Sequence, residues 1–191
     1  MSRVILVDDE PNILSSLRRA LVAMPVETFG GSLSLETFTN PLMALARARE
    51  QPFDLVISDY RMPEMDGVSF LVQLRELQPD IARLILSGYA DLGALIEAIN
   101  RAQIHRFLAK PWDEADLRLA IQQALAHRAL LMENARLADL VRVQQGKLTR
   151  TALALKRLEQ ENPGITRVKR AEDGGIELDF EDLAGLDPES L

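Results

Sequence analysis

Carboxylates follow two apolar stretches of this 191-residue chain, and they are the residues best placed to do chemistry. VILV at 4–7 runs into Asp8 and Asp9, and LVIS at 55–58 runs into Asp59. If both stretches are parallel strands, their carboxyl ends lie at the sheet edge where open α/β sheets bind ligands. Three carboxylates that meet there need a cation, and oxygen ligands suit Mg²⁺, which keeps waters and bridges to phosphate.

A hydroxyl group and an ammonium group follow two further apolar stretches. Ser87 follows IARLIL at 81–86, and Lys110 follows RFLA at 106–109. Both groups can hydrogen-bond the oxygens of a phosphoryl group, and a carboxylate can act as the nucleophile that forms an acyl phosphate. The sequence therefore predicts that Asp59 accepts a phosphoryl group.

The elements that must position these groups alternate along the chain. A further strand-like stretch, LSLETF, occupies residues 33–38, and segments of helical spacing separate the five stretches. Continuous apolar strands are typical of a parallel sheet buried on both faces, so residues 1–125 are predicted to form an α/β domain with a doubly wound, five-stranded parallel sheet. The connection at 24–32 is longer than most helix-to-strand links and is interpreted as a tolerated surface insertion.

Four motifs, in this order, resemble the receiver domain of bacterial two-component response regulators. They are VDDE at 7–10, ISDYRMPEMDG at 57–67, LSGYAD at 86–91 and FLAKPW at 107–112. The resemblance covers residue 3 to about residue 125, and it implies a flavodoxin-like sheet of strand order 2-1-3-4-5. The wording of the last two motifs resembles receivers found with cyclic-dinucleotide phosphodiesterase regulators.

The resemblance implies a role for each acid. Asp59 would be the phospho-acceptor, and its phosphoryl group would come from a histidine kinase or a histidine phosphotransfer protein. Asp8, Asp9, Asp59 and the backbone carbonyl of Arg61 would hold Mg²⁺. Without the resemblance, a single aspartate at a strand end is usually a cap or turn residue, and the matched positions favour the phospho-acceptor over that alternative.

The resemblance also assigns the groups opposite the acids. Ser87 and Lys110 would bind the phosphoryl group, and Phe107 would be the switch aromatic that turns inward as Ser87 moves. The structural alternatives are a turn hydroxyl, a solvated charge and a core aromatic, respectively. Arg61 and Tyr89 would flank the path of a hydrolytic water, and their bulk predicts slow hydrolysis of the acyl phosphate. The peptide bond after Lys110 is commonly cis in the family.

Helical spacing continues beyond the predicted domain. It runs from Asp113, a predicted N-cap residue, to Glu161, so residues 126–162 are predicted to form a helical extension that projects from the domain. A seam at four- and three-residue spacing is apolar at six of ten positions, which favours a parallel coiled coil and a homodimer, with a helix that folds back on its own chain as the alternative. The seam residues are Leu130, Asn134, Leu137, Val141, Gln144, Leu148, Thr151, Leu155, Leu158 and Asn162.

Charge and composition exclude several classes of function. The chain has a net charge of -7 and no cysteine, which argues against general nucleic-acid binding and excludes thiol chemistry. No stretch is typical of a signal peptide or a membrane span, so we expect a soluble, cytoplasmic protein with no membrane partner. Residues 163–191 form an acidic tail, in which the alternation of Ile176, Leu178 and Phe180 with acids predicts a possible β-hairpin.

These features together predict a response regulator that signals by protein–protein interaction through a helical dimer. Its protein target is unknown, no DNA-binding or catalytic output domain is expected, and the only chemistry is self-catalysed phosphotransfer and dephosphorylation at Asp59. Two alternatives stay open. The chain could be a fragment or partner of a cyclic-dinucleotide phosphodiesterase regulator, or it could be a phosphate sink or relay intermediate.

Overall fold

The computed structural model describes residues 1–88, 102–144 and 150–161, and within them five strands and five helices follow one another. The strands are β1 (Ser2–Val7), β2 (Leu33–Phe38), β3 (Leu55–Asp59), β4 (Ala82–Ser87) and β5 (Arg106–Ala109). The helices are α1 (Pro11–Ala23), α2 (Pro41–Glu50), α3 (Gly67–Leu77), α4 (Glu114–Gln144) and α5 (Arg150–Glu161). All five strands lie where the sequence predicts them, to within two residues.

The five strands form one parallel sheet in the order β2-β1-β3-β4-β5, which confirms the predicted architecture. Every residue of β3 and β4 is buried, as the continuous apolar runs require. The register places Val7 of β1 beside Ser58 of β3. The next residues along the two strands are Asp8 and Asp59, so the strand pairing itself brings these carboxylates together.

Two layers of helices cover the sheet. The helices α1 and α4 pack on one face through Leu14, Leu17, Leu21, Leu117, Ala120 and Ile121. The helices α2 and α3 pack on the other face through Ala44, Leu45, Ala48, Phe70, Leu71 and Leu74. Because both faces of the central strands β1, β3 and β4 are covered, the polar side chains of these strands lie toward the strand ends.

The connection at 24–32 is more than a surface insertion. It holds a short 3₁₀ helix, Val26–Phe29, which packs against α4, and the side chain of Phe29 is only 4% exposed. The hydroxyl of Ser2 donates a hydrogen bond of 2.5 Å to the carbonyl oxygen of Phe29. The prediction of a merely tolerated insertion is therefore wrong for Phe29, because burial of this ring contributes to the core.

The start of α4 follows the sequence prediction. The carboxylate of Asp113 accepts hydrogen bonds from the backbone N–H groups of Ala115, at 2.8 Å, and Asp116, at 3.1 Å, so it caps the helix. Further along α4, Arg128 forms an ion pair of 2.9 Å with Asp54, in the loop before β3. This ion pair ties the helix to the amino ends of the strands.

The predicted continuous helix from Asp113 to Glu161 is wrong. The helix α4 ends at Gln144 and α5 begins at Arg150. Lys156 of α5 forms an ion pair of 2.5 Å with Asp139 of α4, although seventeen residues would span about 25 Å along a straight helix. The chain therefore reverses direction between the two helices, as in the fold-back alternative, and the coiled coil is not confirmed.

Two other expectations concern the acidic tail and a membrane span. The β-hairpin predicted in residues 163–191 lies outside the described residues. Among residues 1–88, 102–144 and 150–161, no helix is both long enough and apolar enough to cross a membrane.

His105 lies in the turn before β5 and takes the place of a backbone hydrogen-bond acceptor. Its Nδ1 accepts the backbone N–H of Arg83 at 3.1 Å, and its ring meets that of His127 on α4 at a centroid distance of 5.3 Å. Burial, and then the charges of Arg83 and His127, lower the pKa of His105 to about 4. The folded protein therefore favours the neutral ring.

This lowered pKa predicts acid sensitivity. The unfolded chain binds a proton on His105 near pH 6.5, whereas the folded chain does so near pH 4. The free energy of unfolding therefore has its full value above pH 6.5 and decreases as the pH falls toward 4. The ring is half-buried, so solvent weakens the effect. We expect urea denaturation to show that the free energy of unfolding is about 1–2 kcal/mol lower at pH 5 than at pH 7. His105→Gln should remove most of this pH dependence. An equal loss in both proteins would assign the effect to other groups.

Candidate functional site

Three strand ends place an ammonium group between two buried carboxylates. Lys110, directly after β5, has its Nζ 2.6 Å from an oxygen of Asp8 and within hydrogen-bond distance of an oxygen of Asp59. Asp8 is 1% exposed and Asp59 is 6% exposed. The sequence prediction that Asp8, Asp59 and Lys110 converge at the carboxyl edge of the sheet is what the structure shows.

Backbone donors fix the second oxygen of each carboxylate. The N–H of Glu10 donates to Asp8 at 2.9 Å, and the N–H of Arg61 donates to Asp59 at 2.8 Å. Both donors are two residues after their acceptors, which is the geometry of an aspartate turn. Each carboxylate is therefore held from its own loop on one side and by Lys110 on the other.

Burial governs the electrostatics of this cluster. It raises the pKa of the Asp8 carboxyl group, and this effect outweighs the hydrogen bond from Lys110 and the bond from the Glu10 N–H. Burial alone would lower the pKa of Lys110, but its hydrogen bonds to Asp59 and Asp8 outweigh burial and raise that pKa. One fixed positive charge therefore faces two buried carboxylates.

Ser87 and Phe107 lie on the two neighbouring strands at the same side of the sheet. Ser87 is buried at the end of β4, its hydroxyl donates to the carbonyl of Gly88 at 3.0 Å, and its own carbonyl accepts the N–H of Lys110 at 2.7 Å. Phe107 is half-buried against the core cluster on the α2 and α3 face. The Lys110–Pro111 peptide bond is cis, as expected.

The two residues proposed to tune hydrolysis have different outcomes. Arg61 lies in the loop after β3, two residues beyond Asp59, and is exposed, whereas Tyr89 lies outside the described residues. Slow hydrolysis caused by the bulk of Arg61 stays a prediction. Comparing phosphate loss from the wild type and from Arg61→Asn checks it, and equal rates would contradict it.

Gly67 is a site residue whose importance the sequence did not reveal. It lies at the start of α3, where the carboxylate of Asp66 caps the helix by accepting the N–H of Ser69 at 2.9 Å. The N–H of Gly67 donates to the carbonyl of Tyr60 at 2.8 Å. A Cβ atom at position 67 would lie 2.0 Å from the backbone oxygen of Asp59, so α3 can approach the candidate phospho-acceptor this closely only with glycine there.

Gly67→Ala is therefore expected to displace the loop that carries Asp59. The added methyl group meets backbone rather than a flexible side chain, so we expect a loss of about 1–3 kcal/mol in the free energy of unfolding, measured by urea denaturation. Gly88→Ala is the matched control, because its Cβ would have no atom within 4 Å. An unchanged stability of Gly67→Ala would contradict the close approach.

The donor set fits a magnesium ion. Asp8, Asp9, Asp59 and the carbonyl of Arg61 offer only oxygen atoms, and the two buried carboxylates exceed the single charge of Lys110. Within the described ranges, no group of three His, Cys, Asp or Glu side chains is placed to hold a metal ion, so the predicted trio Asp8, Asp9 and Asp59 is not confirmed. Mg²⁺ commonly keeps several waters and uses one or two carboxylates, so an incomplete protein shell suits it.

A doubly wound sheet with acids, a hydroxyl and a lysine at its carboxyl edge is the arrangement of a two-component receiver domain. The family described as response regulator receiver domain matches residues 4–122, and the chain belongs to that family. Domains of this family are generally signalling domains rather than enzymes, they bind Mg²⁺ for phosphorylation, and they interact with histidine kinases or phosphotransfer proteins.

Three relatives illustrate the similarity. The hydrogenase transcriptional regulatory protein HoxA of Cupriavidus necator is 33% identical over 127 residues, which are 66% of this chain and 25% of HoxA. The signal receiver domain of an HD domain-containing protein from Pseudomonas fluorescens Pf-5 is 34% identical, with a TM-score of 0.62 over 69% of this chain and 92% of that domain. The beryllofluoride-activated NtrC4 receiver domain dimer is 30% identical, with a TM-score of 0.58 over 67% of this chain and 99% of that one.

These relatives limit the prediction about output. The chain spans about a quarter of the length of HoxA, a transcriptional regulatory protein by name, so the expectation of no DNA-binding or catalytic output domain is not confirmed.

Proposed function

We propose that this chain accepts a phosphoryl group on Asp59 from a phosphohistidine and relays the signal through a change of shape. The observation that carries the proposal is the ammonium group of Lys110 bound to both Asp8 and Asp59 at the carboxyl edge of the sheet. Asp59 is 6% exposed, so its carboxylate is largely buried but still reaches the surface of the protein.

The transfer step follows from these contacts. A carboxylate oxygen of Asp59 attacks phosphorus, a P–O bond forms, and the P–N bond to the donor histidine breaks. The histidine ring, which carries a proton on its other nitrogen, keeps the electron pair of the P–N bond and leaves as neutral imidazole. Lys110, with its raised pKa, stays charged and compensates the added negative charge. A bound Mg²⁺, held by Asp8, Asp9, Asp59 and the carbonyl of Arg61, would neutralise phosphoryl oxygens.

Direct labelling tests this proposal. The purified protein, given Mg²⁺ and a small acyl phosphate donor, is expected to gain the mass of one phosphoryl group on the peptide that contains residue 59. No gain in mass, with the protein folded by circular dichroism, would contradict the proposal. A donor without Mg²⁺ is the control for the role of the metal.

The proposed switch connects the phosphoryl group to β5. Ser87 would hydrogen-bond a phosphoryl oxygen, which requires its hydroxyl to leave the carbonyl of Gly88. Phe107 on β5 is paired with Ile85 on β4, and Ser87 is two residues further along β4. Movement of Ser87 would therefore leave space into which the half-buried ring of Phe107 could turn. We assign this receiver function to residues 1–125, the helical extension to 126–162 and the tail to 163–191, with an unidentified protein as the target.

Homodimerisation through residues 126–162 is part of the proposal. The seam residues Leu130, Leu137, Val141, Leu155 and Leu158 are between 46% and 65% exposed on α4 and α5. Two adjacent helices with exposed apolar residues can bury them against a second copy, as a pair of helical hairpins rather than as a two-stranded coil. Relatives of this family also dimerise, as the NtrC4 receiver domain does.

Light scattering with and without beryllofluoride tests this dimer. We expect the mass of two chains in at least one condition, and Leu137→Glu should return it to the mass of one chain. The seam residue Asn134, exposed on the same helix, provides the control Asn134→Glu, which should weaken the dimer less because it adds charge without removing apolar area. A monomer in both conditions would contradict the dimer.

One alternative function has a specific observation in its favour. The matched receiver from Pseudomonas fluorescens belongs to an HD domain-containing protein, which agrees with the motif resemblance to cyclic-dinucleotide phosphodiesterase regulators. An intact mass of the native protein well above 21.3 kDa would support a fragment of such a regulator. A phosphate sink would instead return its phosphoryl group to the kinase without any change in oligomeric state.

A further inference from the structure

A pocket lies at the end of the sheet opposite to Asp8 and Asp59. It has a volume of about 670 Å³ and is bounded by the amino ends of β4 and β5 and by the side of α4. Its polar wall is formed by Arg83, His105, Arg106, Gln123 and His127. Arg83 is four residues before Ser87 on β4, so the pocket is about 13 Å along the strand from the phosphorylation site.

Among residues 1–88, 102–144 and 150–161, no carboxylate contacts the guanidinium group of Arg83. The side chain is 3% exposed, its Nη1 donates to the carbonyls of Ile81, at 2.8 Å, and Pro79, at 3.1 Å, and its Nη2 donates to the carbonyl of Gln103 at 3.4 Å. Its Nε is buried without a hydrogen-bond partner in the described part of the chain. Buried charges are usually paired, so this arginine is an exception that needs an explanation.

Arg83 nevertheless keeps its charge at neutral pH. Burial lowers its pKa to about 10, and the nearby charges of Arg75 and Asp80 act on it in opposite directions. None of the lining residues in the described part of the chain is acidic. A protein of net charge -7 therefore has a concave surface where positive charge is concentrated.

The neighbouring side chains add donors and an apolar wall. Because Nδ1 of His105 accepts the backbone N–H of Arg83, the neutral ring carries its hydrogen on Nε2. Arg106 is exposed at the rim and donates to the side-chain oxygen of Gln123. Ile104, Ala124 and Leu131 complete the wall with apolar surface.

We propose that this pocket binds a small organic anion, with a carboxylate or phosphonate-like group beside Arg83 and Arg106 and a compact apolar body against Leu131. Two arginines with no acidic side chain among the described lining residues favour an anion, and they disfavour a metal ion at the His105 and His127 pair. The volume exceeds what an inorganic ion fills, and the apolar wall favours a ligand that carries hydrocarbon. This site is separate from the receiver chemistry and does not depend on it.

Nuclear magnetic resonance can test the pocket directly. The Nε–H signal of Arg83 and the ring signals of His105 and His127 would be followed during titration with benzoate, phenylphosphonate and inorganic phosphate. Phenylphosphonate cannot donate a phosphoryl group to Asp59, because its C–P bond is stable. We expect saturable shifts with at least one organic anion, weaker binding of inorganic phosphate, and the same shifts in Asp59→Ala.

Two charge variants decide the result. Arg106→Gln, at the exposed rim, is expected to weaken the binding of the organic anion about fivefold, because one charge-assisted contact is lost. Arg118→Gln changes the net charge equally, but Arg118 is exposed on α4 and does not line the pocket, so binding should be unchanged. Shifts that do not saturate, tighter binding of inorganic phosphate, or equal effects of the two variants would overturn the proposal.

Discussion

Asp59→Asn is expected to abolish phosphorylation of this protein. The amide nitrogen cannot act as the nucleophile that a carboxylate oxygen provides, and the negative charge that draws Lys110 to position 59 is lost. Because asparagine has nearly the shape of aspartate and can still accept the N–H of Arg61, the fold should be kept. Mass spectrometry after incubation with Mg²⁺ and an acyl phosphate donor should show full labelling of the wild type and none of the variant.

Asp80→Asn is the matched control for this experiment. Asp80 lies in the loop before β4, at the amino end of the sheet, and the same chemical change there should leave labelling unaffected. Labelling of Asp59→Asn at another carboxylate, such as Asp8, would show that the assignment of the acceptor is wrong. Urea denaturation of both variants separates a loss of chemistry from a loss of structure.

Much of the fold and of the site could be predicted from the sequence, because local patterns determine them. The continuous apolar stretches locate the strands, since a strand that is covered on both faces needs apolar residues at every position. The convergence of Asp8, Asp59 and Lys110 then follows from parallel pairing alone, which aligns the carboxyl ends. The cap at Asp113 was predictable for the same reason, since its hydrogen bonds span only three residues.

The missed features depend on contacts between distant parts of the chain. Nothing near Gly67 indicates that the backbone of Asp59 lies against it, and nothing near Phe29 indicates that it reaches the core. The meeting of His105 and His127 requires the position of α4 to be known. Helical spacing alone could not predict the chain reversal, since Leu155 and Leu158 continue a seam that a straight helix would also satisfy, and only the contact of Lys156 with Asp139 reveals the reversal.

Lys110→Met is expected to reduce both stability and phosphotransfer. Methionine keeps much of the apolar stem but removes the charge that faces two buried carboxylates, so we expect a loss of about 2–3 kcal/mol in the free energy of unfolding at pH 7. The rate of labelling should fall by about two orders of magnitude, because a fixed charge no longer stabilises the transferring group. Urea denaturation and timed mass spectrometry measure the two effects.

The direction of the response to protons and to Mg²⁺ distinguishes this charge effect from a packing defect. Burial already raises the pKa of Asp8, and loss of the ammonium group raises it further, so the variant should regain stability relative to the wild type as the pH falls and that carboxyl group is protonated. Mg²⁺ should stabilise Lys110→Met more than the wild type, because the ion supplies the missing positive charge. Lys156→Met removes a lysine that also binds a buried aspartate, Asp139, but between α4 and α5. Because Lys156 lowers the pKa of Asp139, this control shares the response to pH, but it should not respond to Mg²⁺. A stability loss in Lys110→Met that is independent of both pH and Mg²⁺ would mean that Lys110 acts through its packed stem rather than through its charge.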